Sequence, residues 1–193
     1  MLLWVGLGNP EPAMVLNRHN IGFMALDVIA GSHGFSAWRR RFHGLLAEGV
    51  VGGERVIALK PLTYMNLSGD SVQAAARFYK LSAGAITVFH DDIDLVPGKV
   101  RVKQDGGAAG HNGLRSIDRS LGDRGYWRVR LGIGHPAGKD RVLGHVLGNF
   151  SPNDRELWLE AVLATLAKEA PLLVKGRADE FMSRLALSVS RQP

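Results

Sequence analysis

The sequence contains no cysteine, which excludes disulfides, thiolate catalysis and cysteine-ligated zinc or iron–sulfur centres. The reducing cytoplasm is then the default compartment. No apolar run approaches the roughly 20 residues of a spanning helix. Met1-Leu2-Leu3-Trp4-Val5-Gly6 has no basic segment ahead of its apolar stretch, so it does not read as a secretion signal. No repeat, low-complexity tract or long linker divides the chain. The Gly-x-Ser-x-Gly elbow is missing, so Ser68 has no nucleophile context and a serine hydrolase is unsupported. Acidic residues are outnumbered, with 18 Asp+Glu against 24 Lys+Arg and a net charge of +6. That balance favours polyanionic partners, nucleic acid first.

What is present fits a folded domain. The length of 193 residues suggests one domain spanning the chain, and 46% apolar against 22% charged residues excludes wholesale disorder. Met1–Leu7 reads as a buried strand. Ile21, Met24, Ala25 and Val28 fall at helical spacing, with Gly31 and Gly34 as candidate stops. Leu45–Val51 and Arg55–Leu59 flank Gly52-Gly53, a hairpin signal. Gly69–Leu81 and Asn112–Leu121 read as helices, and Ile86–Phe89 as a short strand. Ser151-Pro152 caps a further helix that is expected to end at Ala170, before Pro171. Lys99–Lys103 and Arg128–Leu131 alternate basic and apolar residues, so each strand sends its cations to one face. If the two pair, five cations share a surface, unless this is an ordinary solvated sheet face. Trp38-Arg39-Arg40-Arg41-Phe42 reads as a solvated basic turn, with RNA contact as the alternative. Strands interleaved with helices, plus a hairpin, predict an α/β fold with a mixed sheet flanked by helices.

Five clusters carry candidate chemistry. Gly6-Leu7-Gly8-Asn9-Pro10 follows the first strand, but Glu11 and Pro12 spoil a dinucleotide fingerprint. Arg18-His19-Asn20 precedes a helix, where a His is either a cap or a group facing a cleft. His90-Asp91-Asp92-Ile93-Asp94 follows a buried strand, where open α/β sheets place their sites. No second His lies at ligand spacing there. A carboxylate orienting a His from another loop therefore fits better than a metal site. Gly106–Gly113 is a glycine-rich loop before a helix, either a ligand-approach segment or a mobile surface loop. Asn66, in Tyr64-Met65-Asn66-Leu67-Ser68-Gly69, sits where it would cap a helix or meet a substrate.

In this order and spacing, the clusters resemble bacterial peptidyl-tRNA hydrolases. The resemblance rests on Gly6–Pro10, Arg18–Phe23, Pro61–Gly69, His90–Gly98, Gly110–Leu114 and Arg130–Pro136, over nearly the whole chain. It implies a single catalytic domain over residues 1–193 that is monomeric, cytoplasmic and free of metal or other cofactor. Its partner would be peptidyl-tRNA, whose peptide–tRNA ester it would cleave. The resemblance assigns His19 as catalytic base with Asp91 as its partner. Asn9, Met65, Asn66 and Asn112 become substrate-binding residues. Lys103 and Arg130 become a clamp on the tRNA 5′-phosphate. The chain differs from the family pattern at Glu11, Met14, Asn17, Ala108 and Ala109. Two other classes stay open on the residues alone: a noncatalytic RNA-binding adaptor, and a nucleotide-cofactor enzyme using the Gly6–Asn9 turn.

Overall fold

The structure, a computed structural model, describes residues 1–190 and builds them on one mixed sheet. Its strands are β1 (Leu2–Gly6), β2 (Arg39–Arg41), β3 (Gly44–Val51), β4 (Glu54–Pro61), β5 (Ile86–Asp92), β6 (Val100–Gln104) and β7 (Trp127–Gly132). They lie in the order β2-β3-β4-β1-β5-β7-β6. The central strands β4, β1, β5 and β7 run parallel, whereas β2–β3, β3–β4 and β6–β7 pair antiparallel. The helices are α1 (Ile21–Ser32), α2 (Ser68–Tyr79), α3 (Asn112–Leu121), α4 (Val142–Val146), α5 (Pro152–Asp154), α6 (Glu160–Val174) and α7 (Ala178–Ser190).

The pleat of β1 divides the core. Trp4 points to one face, where it meets α1, α6 and α7 in a cluster with Leu26, Phe89, Leu166 and Phe181. Leu3 and Val5 point to the other, under α2 and α3, with Val72, Ala75, Leu114 and Ile117. No helix among the described residues is long and apolar enough to cross a membrane.

Several expectations need correction. The strand starting at Ile86 continues through Asp92, so His90 and Asp91 are held by a ladder with β7 rather than by a loop. Gly31 lies inside α1, which ends at Ser32 ahead of Gly34, whose φ is +61°. Ser151 does cap the next helical stretch, through a reciprocal capping box with Asp154. That stretch passes through a π turn at Arg155–Leu159 and on past Pro171 to Val174. The proline is tolerated because the carbonyl it leaves without an N–H donor, that of Ala167, meets His33 Nε2 at 2.8 Å. Trp38–Phe42 is not simply a solvated turn. Arg39–Arg41 forms β2, Arg39 pairs with Glu48, and the Arg41 guanidinium lies 4.2 Å from the Phe78 ring centroid.

The two basic strands do pair, with Arg101 opposite Arg130 and Lys103 opposite Arg128. Arg128, however, is buried. It bonds the Gly107 carbonyl at 2.9 Å and the Asp118 carboxylate at 3.3 Å. It therefore braces the glycine-rich loop against α3 and leaves the solvated cation face.

Candidate active site

The carboxyl ends of β1 and β5 meet beneath the start of α1. Gly6 and Gly22 allow this. A Cβ on Gly22 would lie 2.3 Å from the Phe89 carbonyl oxygen, and one on Gly6 would lie 2.3 Å from that of Gly22. With both side chains absent, the turn Arg18–Asn20 presses onto the end of β5. The β1 turn is then pinned to it. The Asn9 amide donates to Asn20 Oδ1 at 2.8 Å, and Asn20 Nδ2 donates back to the Asn9 carbonyl at 2.9 Å. Asn20 is buried.

Asp91 is the hub. Its Oδ1 accepts from His19 Nδ1 at 2.8 Å and from His111 Nε2 at 3.0 Å. The tautomers follow from the surrounding bonds. His111 Nδ1 accepts from the Gly113 and Leu114 amides, capping α3, so the His111 proton sits on Nε2. His19 spends its Nδ1 proton on Asp91, which leaves Nε2 as its basic nitrogen.

The electrostatics agree with this layout. Burial alone would lower the His19 pKa, but the charge of Asp91 and the hydrogen bond to it outweigh burial, and the pKa is raised above 6.5. Burial works to raise that of Asp91, yet the two histidines hold it well below the usual carboxylate range. His90 is pushed down to about 3, first by burial and then by His111, so it stays neutral. Its Nδ1 meets the Asp91 carbonyl at 2.8 Å.

These groups open on a cleft of about 510 Å³. Asn9, His19, Asp91 and His111 line one side, with Met65 and Asn112 beside them. Ile93, Val142, Leu143, Val146 and Leu147 form an apolar wall. Thus Asn9, His19, Met65, Asp91 and Asn112 share one cleft. Asn66 stands outside that lining, exposed on the same 3-10 turn as Met65, and its carbonyl lies 3.4 Å from the Arg119 guanidinium. It does not cap α2, whose N-cap is Leu67. Lys103 and Arg130 also lie outside the cleft. Lys103 is exposed on edge strand β6. Arg130 Nε bonds Asp92 Oδ2 at 2.7 Å. Sequence reasoning left His111, His90 and Asn20 without a role. All three stood inside motifs already quoted, but nothing local says that His111 reaches Asp91.

His19, Asp91 and His111 offer ligand atoms within 4.8 Å of one another, the one such group among the described residues. The fit to a metal is poor. Both rings are at hydrogen-bond distance from a single carboxylate oxygen, and the remaining His111 nitrogen is committed to backbone amides. A metal would have to replace the protons that both rings give to Asp91, and a neutral His111 whose Nδ1 accepts from amides must keep its Nε2 proton. The arrangement is suited to moving a proton at His19 Nε2, in a cleft lined both by apolar side chains and by Asn9 and Asn112.

Comparison with known proteins identifies a family over nearly the whole chain. The family model described as peptidyl-tRNA hydrolase matches residues 3–192. The chain is 65% identical over 187 residues to the peptidyl-tRNA hydrolase of Acidiphilium cryptum, covering 97% of each. It is 64% identical over 192 residues to that of Granulibacter bethesdensis, covering 100% of this chain and 98% of the other. The crystal structure of the Acinetobacter baumannii enzyme superposes with a TM-score of 0.88 at 38% identity, over 96% of this chain and 94% of that one.

Proposed function

We infer the division of labour in the cleft from one premise: the chain belongs to the peptidyl-tRNA hydrolase family and hydrolyses the ester of peptidyl-tRNA. His19 Nε2 is the general base. It takes a proton from a water whose oxygen attacks the ester carbonyl carbon. Asp91, bonded to the other ring nitrogen at 2.8 Å, fixes the tautomer and stabilises the imidazolium as it forms. The tetrahedral intermediate collapses by expelling the ribose 3′ oxygen, which takes the proton back from His19. The products are a tRNA with a free 3′ hydroxyl and a peptide carboxylic acid, which gives its proton to solvent and leaves as the carboxylate.

The carboxamides of Asn9 and Asn112, which line the cleft, position the substrate and donate to the developing oxyanion without adding charge. Asn66, exposed on the turn beside Met65, binds the substrate from outside that lining and reaches the carbonyl once the substrate is seated. Met65 packs against the peptide. Lys103 and Arg130 hold the tRNA 5′-phosphate. Arg130 keeps N–H groups beyond the one given to Asp92. Residues 1–193 act as a single catalytic domain, monomeric and cytoplasmic, without a metal or other cofactor, and return tRNA from stalled translation. One observation carries this reading: a buried carboxylate bonded to a histidine whose second nitrogen is free, at the floor of a cleft with an apolar wall.

The test is release of free tRNA from peptidyl-tRNA by the purified chain with a chelator present. The parent should turn over. His19→Ala should lose about 10²–10⁴-fold or more in kcat while staying folded. Near-parental turnover by a folded His19→Ala variant removes His19 from the mechanism.

A further inference from the structure

The residues just ahead of His19 also hold the segment that roofs the cleft. We propose that Arg18 is a positioning residue that ties this roof to the His19 turn, so that apolar wall and base keep one mutual geometry. The proposal builds on His19 being the base.

The roof is α4 with Leu147, which together supply Val142, Leu143, Val146 and Leu147 to the cleft. Val146 belongs to the main core cluster, with Val142 and Leu147 packed against it, but this apolar packing does not fix the roof relative to the His19 turn. The helix has five residues, Val146 is its one buried side chain, and Leu143 is 68% exposed. A helix this short does not persist without tertiary contacts. One polar tie runs to the residue just after β7, where His145 Nε2 meets the Ile133 carbonyl at 3.1 Å. The others converge on residues 16–18. The Arg18 amide donates to the Gly148 carbonyl at 2.9 Å, and the Phe150 amide donates to that of Leu16 at 3.0 Å. Asn17 Nδ2 donates to Asn149 Oδ1 at 2.7 Å.

The Arg18 side chain completes this set. One guanidinium nitrogen bonds Asp154 Oδ2 at 3.0 Å, and the other lies 3.5 Å from the His145 carbonyl. Its carbon sits 5.6 Å from the Phe150 ring centroid. The acceptor is preset. Asp154 Oδ2 also receives the Ser151 amide at 3.0 Å and the Ser151 hydroxyl at 2.9 Å. Gly148 makes room for the guanidinium, since a Cβ there would lie 3.1 Å from an Arg18 nitrogen and 3.0 Å from the Gly144 carbonyl oxygen. A single side chain thus bridges the end of α4, the loop after it and the helix cap beyond. Its own backbone begins the turn that carries His19. Two-point, charge-assisted contacts of this kind fix geometry more than they add stability.

Freeing the guanidinium should therefore loosen the roof and leave the His19–Asp91 bond intact. The experiment compares Arg18→Gln, Arg18→Lys, Asp154→Asn and the Gln/Asn double variant. It reads amide exchange in the substrate-free protein, then kcat, KM and the pH profile. Arg18→Gln should speed exchange over residues 142–150. It should raise KM about 5- to 20-fold with kcat within about 3-fold, and leave the acidic limb in place. Arg18→Lys should recover part of the loss through Asp154. The double variant should be little worse than Arg18→Gln alone. Parental exchange and KM in a folded Arg18→Gln variant overturn the proposal. So does full additivity with Asp154→Asn, or a moved acidic limb, which would make Arg18 an electrostatic partner of the base. If Arg18→Gln does not fold, Arg18→Lys and Asp154→Asn carry the same comparison. The exchange result needs no turnover, so it stands apart from the outcome at His19.

Discussion

Asp91 sits between two histidines that want different things from it. His19 needs a partner that raises its basicity, and His111 gives a proton to the same oxygen and so competes. If Asp91 acts through His19, the losses in Asp91→Asn and His19→Ala should be strongly non-additive, with the double variant close to His19→Ala alone. Fully multiplicative losses would give Asp91 a separate role. His111→Ala should free Asp91 to favour the imidazolium, moving the acidic limb of the rate profile to higher pH. It should also cost about 1 kcal/mol from the lost α3 cap. The pair also has a stability signature. The raised pKa of His19 contributes below about 6.5 and is lost as pH rises through its folded value. The lowered pKa of Asp91 contributes above about 3.9 and is lost as pH falls through its folded value. Denaturant melts should therefore show a larger penalty for Asp91→Asn near pH 5 than at pH 8. At this scale the sequence made His19 and Asp91 candidates, through a polar triplet before a helix and a carboxylate after a buried strand. Their assignment as base and partner came from the family resemblance. It could not place His111, because the distance from residue 111 to residue 91 is set by how α3 docks.

Helices and strands read from periodicity survive where the pattern is local. The helix Asn112–Leu121 appears with the expected extent, and the Gly52-Gly53 hairpin appears with both strands slightly longer than expected, Gly44–Val51 and Glu54–Pro61. Long-range contacts explain the departures. Pro171 looked like a helix stop, but His33, 134 residues from Ala167 in the sequence, takes the Ala167 carbonyl that the proline leaves open. His33→Ala should then cost about 1 kcal/mol in the parent and less in a Pro171→Ala background, where an N–H returns. Equal costs in both backgrounds would mean that the bond does not carry the helix past Pro171. Gly22 reports on another element, the seat of α1. Gly22→Ala puts a methyl 2.3 Å from the Phe89 carbonyl oxygen, which should cost about 1–3 kcal/mol and lower kcat as His19 lifts from Asp91. A melt together with a kcat measurement checks both halves.

For the whole molecule, the α/β class and the mixed sheet were legible because apolar runs, alternating runs and helical spacing each imply a different burial geometry. The basic surface was legible only in part. Alternation put five cations on one face, but folding buried Arg128 against Asp118 and paired Arg130 with Asp92. Which cations remain for RNA depends on where the acids fall, and that is a property of the assembled sheet. The expectation for Lys103 and Arg130 is accordingly a substrate effect. Replacing both with Ala should raise KM for peptidyl-tRNA and flatten the logarithmic salt dependence of binding by about 0.7–0.9 per lost phosphate contact. Short ester substrates without the 5′-phosphate should be hydrolysed as by the parent. Equal loss on both substrates would place these residues in the fold rather than on the tRNA.

One buried carboxylate sets the basicity of His19. The decisive measurement is the pH dependence of kcat/KM for peptidyl-tRNA in the parent and in Asp91→Asn. The free enzyme's base governs that profile. In the parent, the acidic limb should lie above the unperturbed histidine value of about 6.5, because Asp91 outweighs burial. In Asp91→Asn the charge is gone and burial remains, so the limb should move to lower pH while the plateau falls sharply. A limb that stays in place in the folded variant, or moves to higher pH, would mean that Asp91 does not set the basicity of His19.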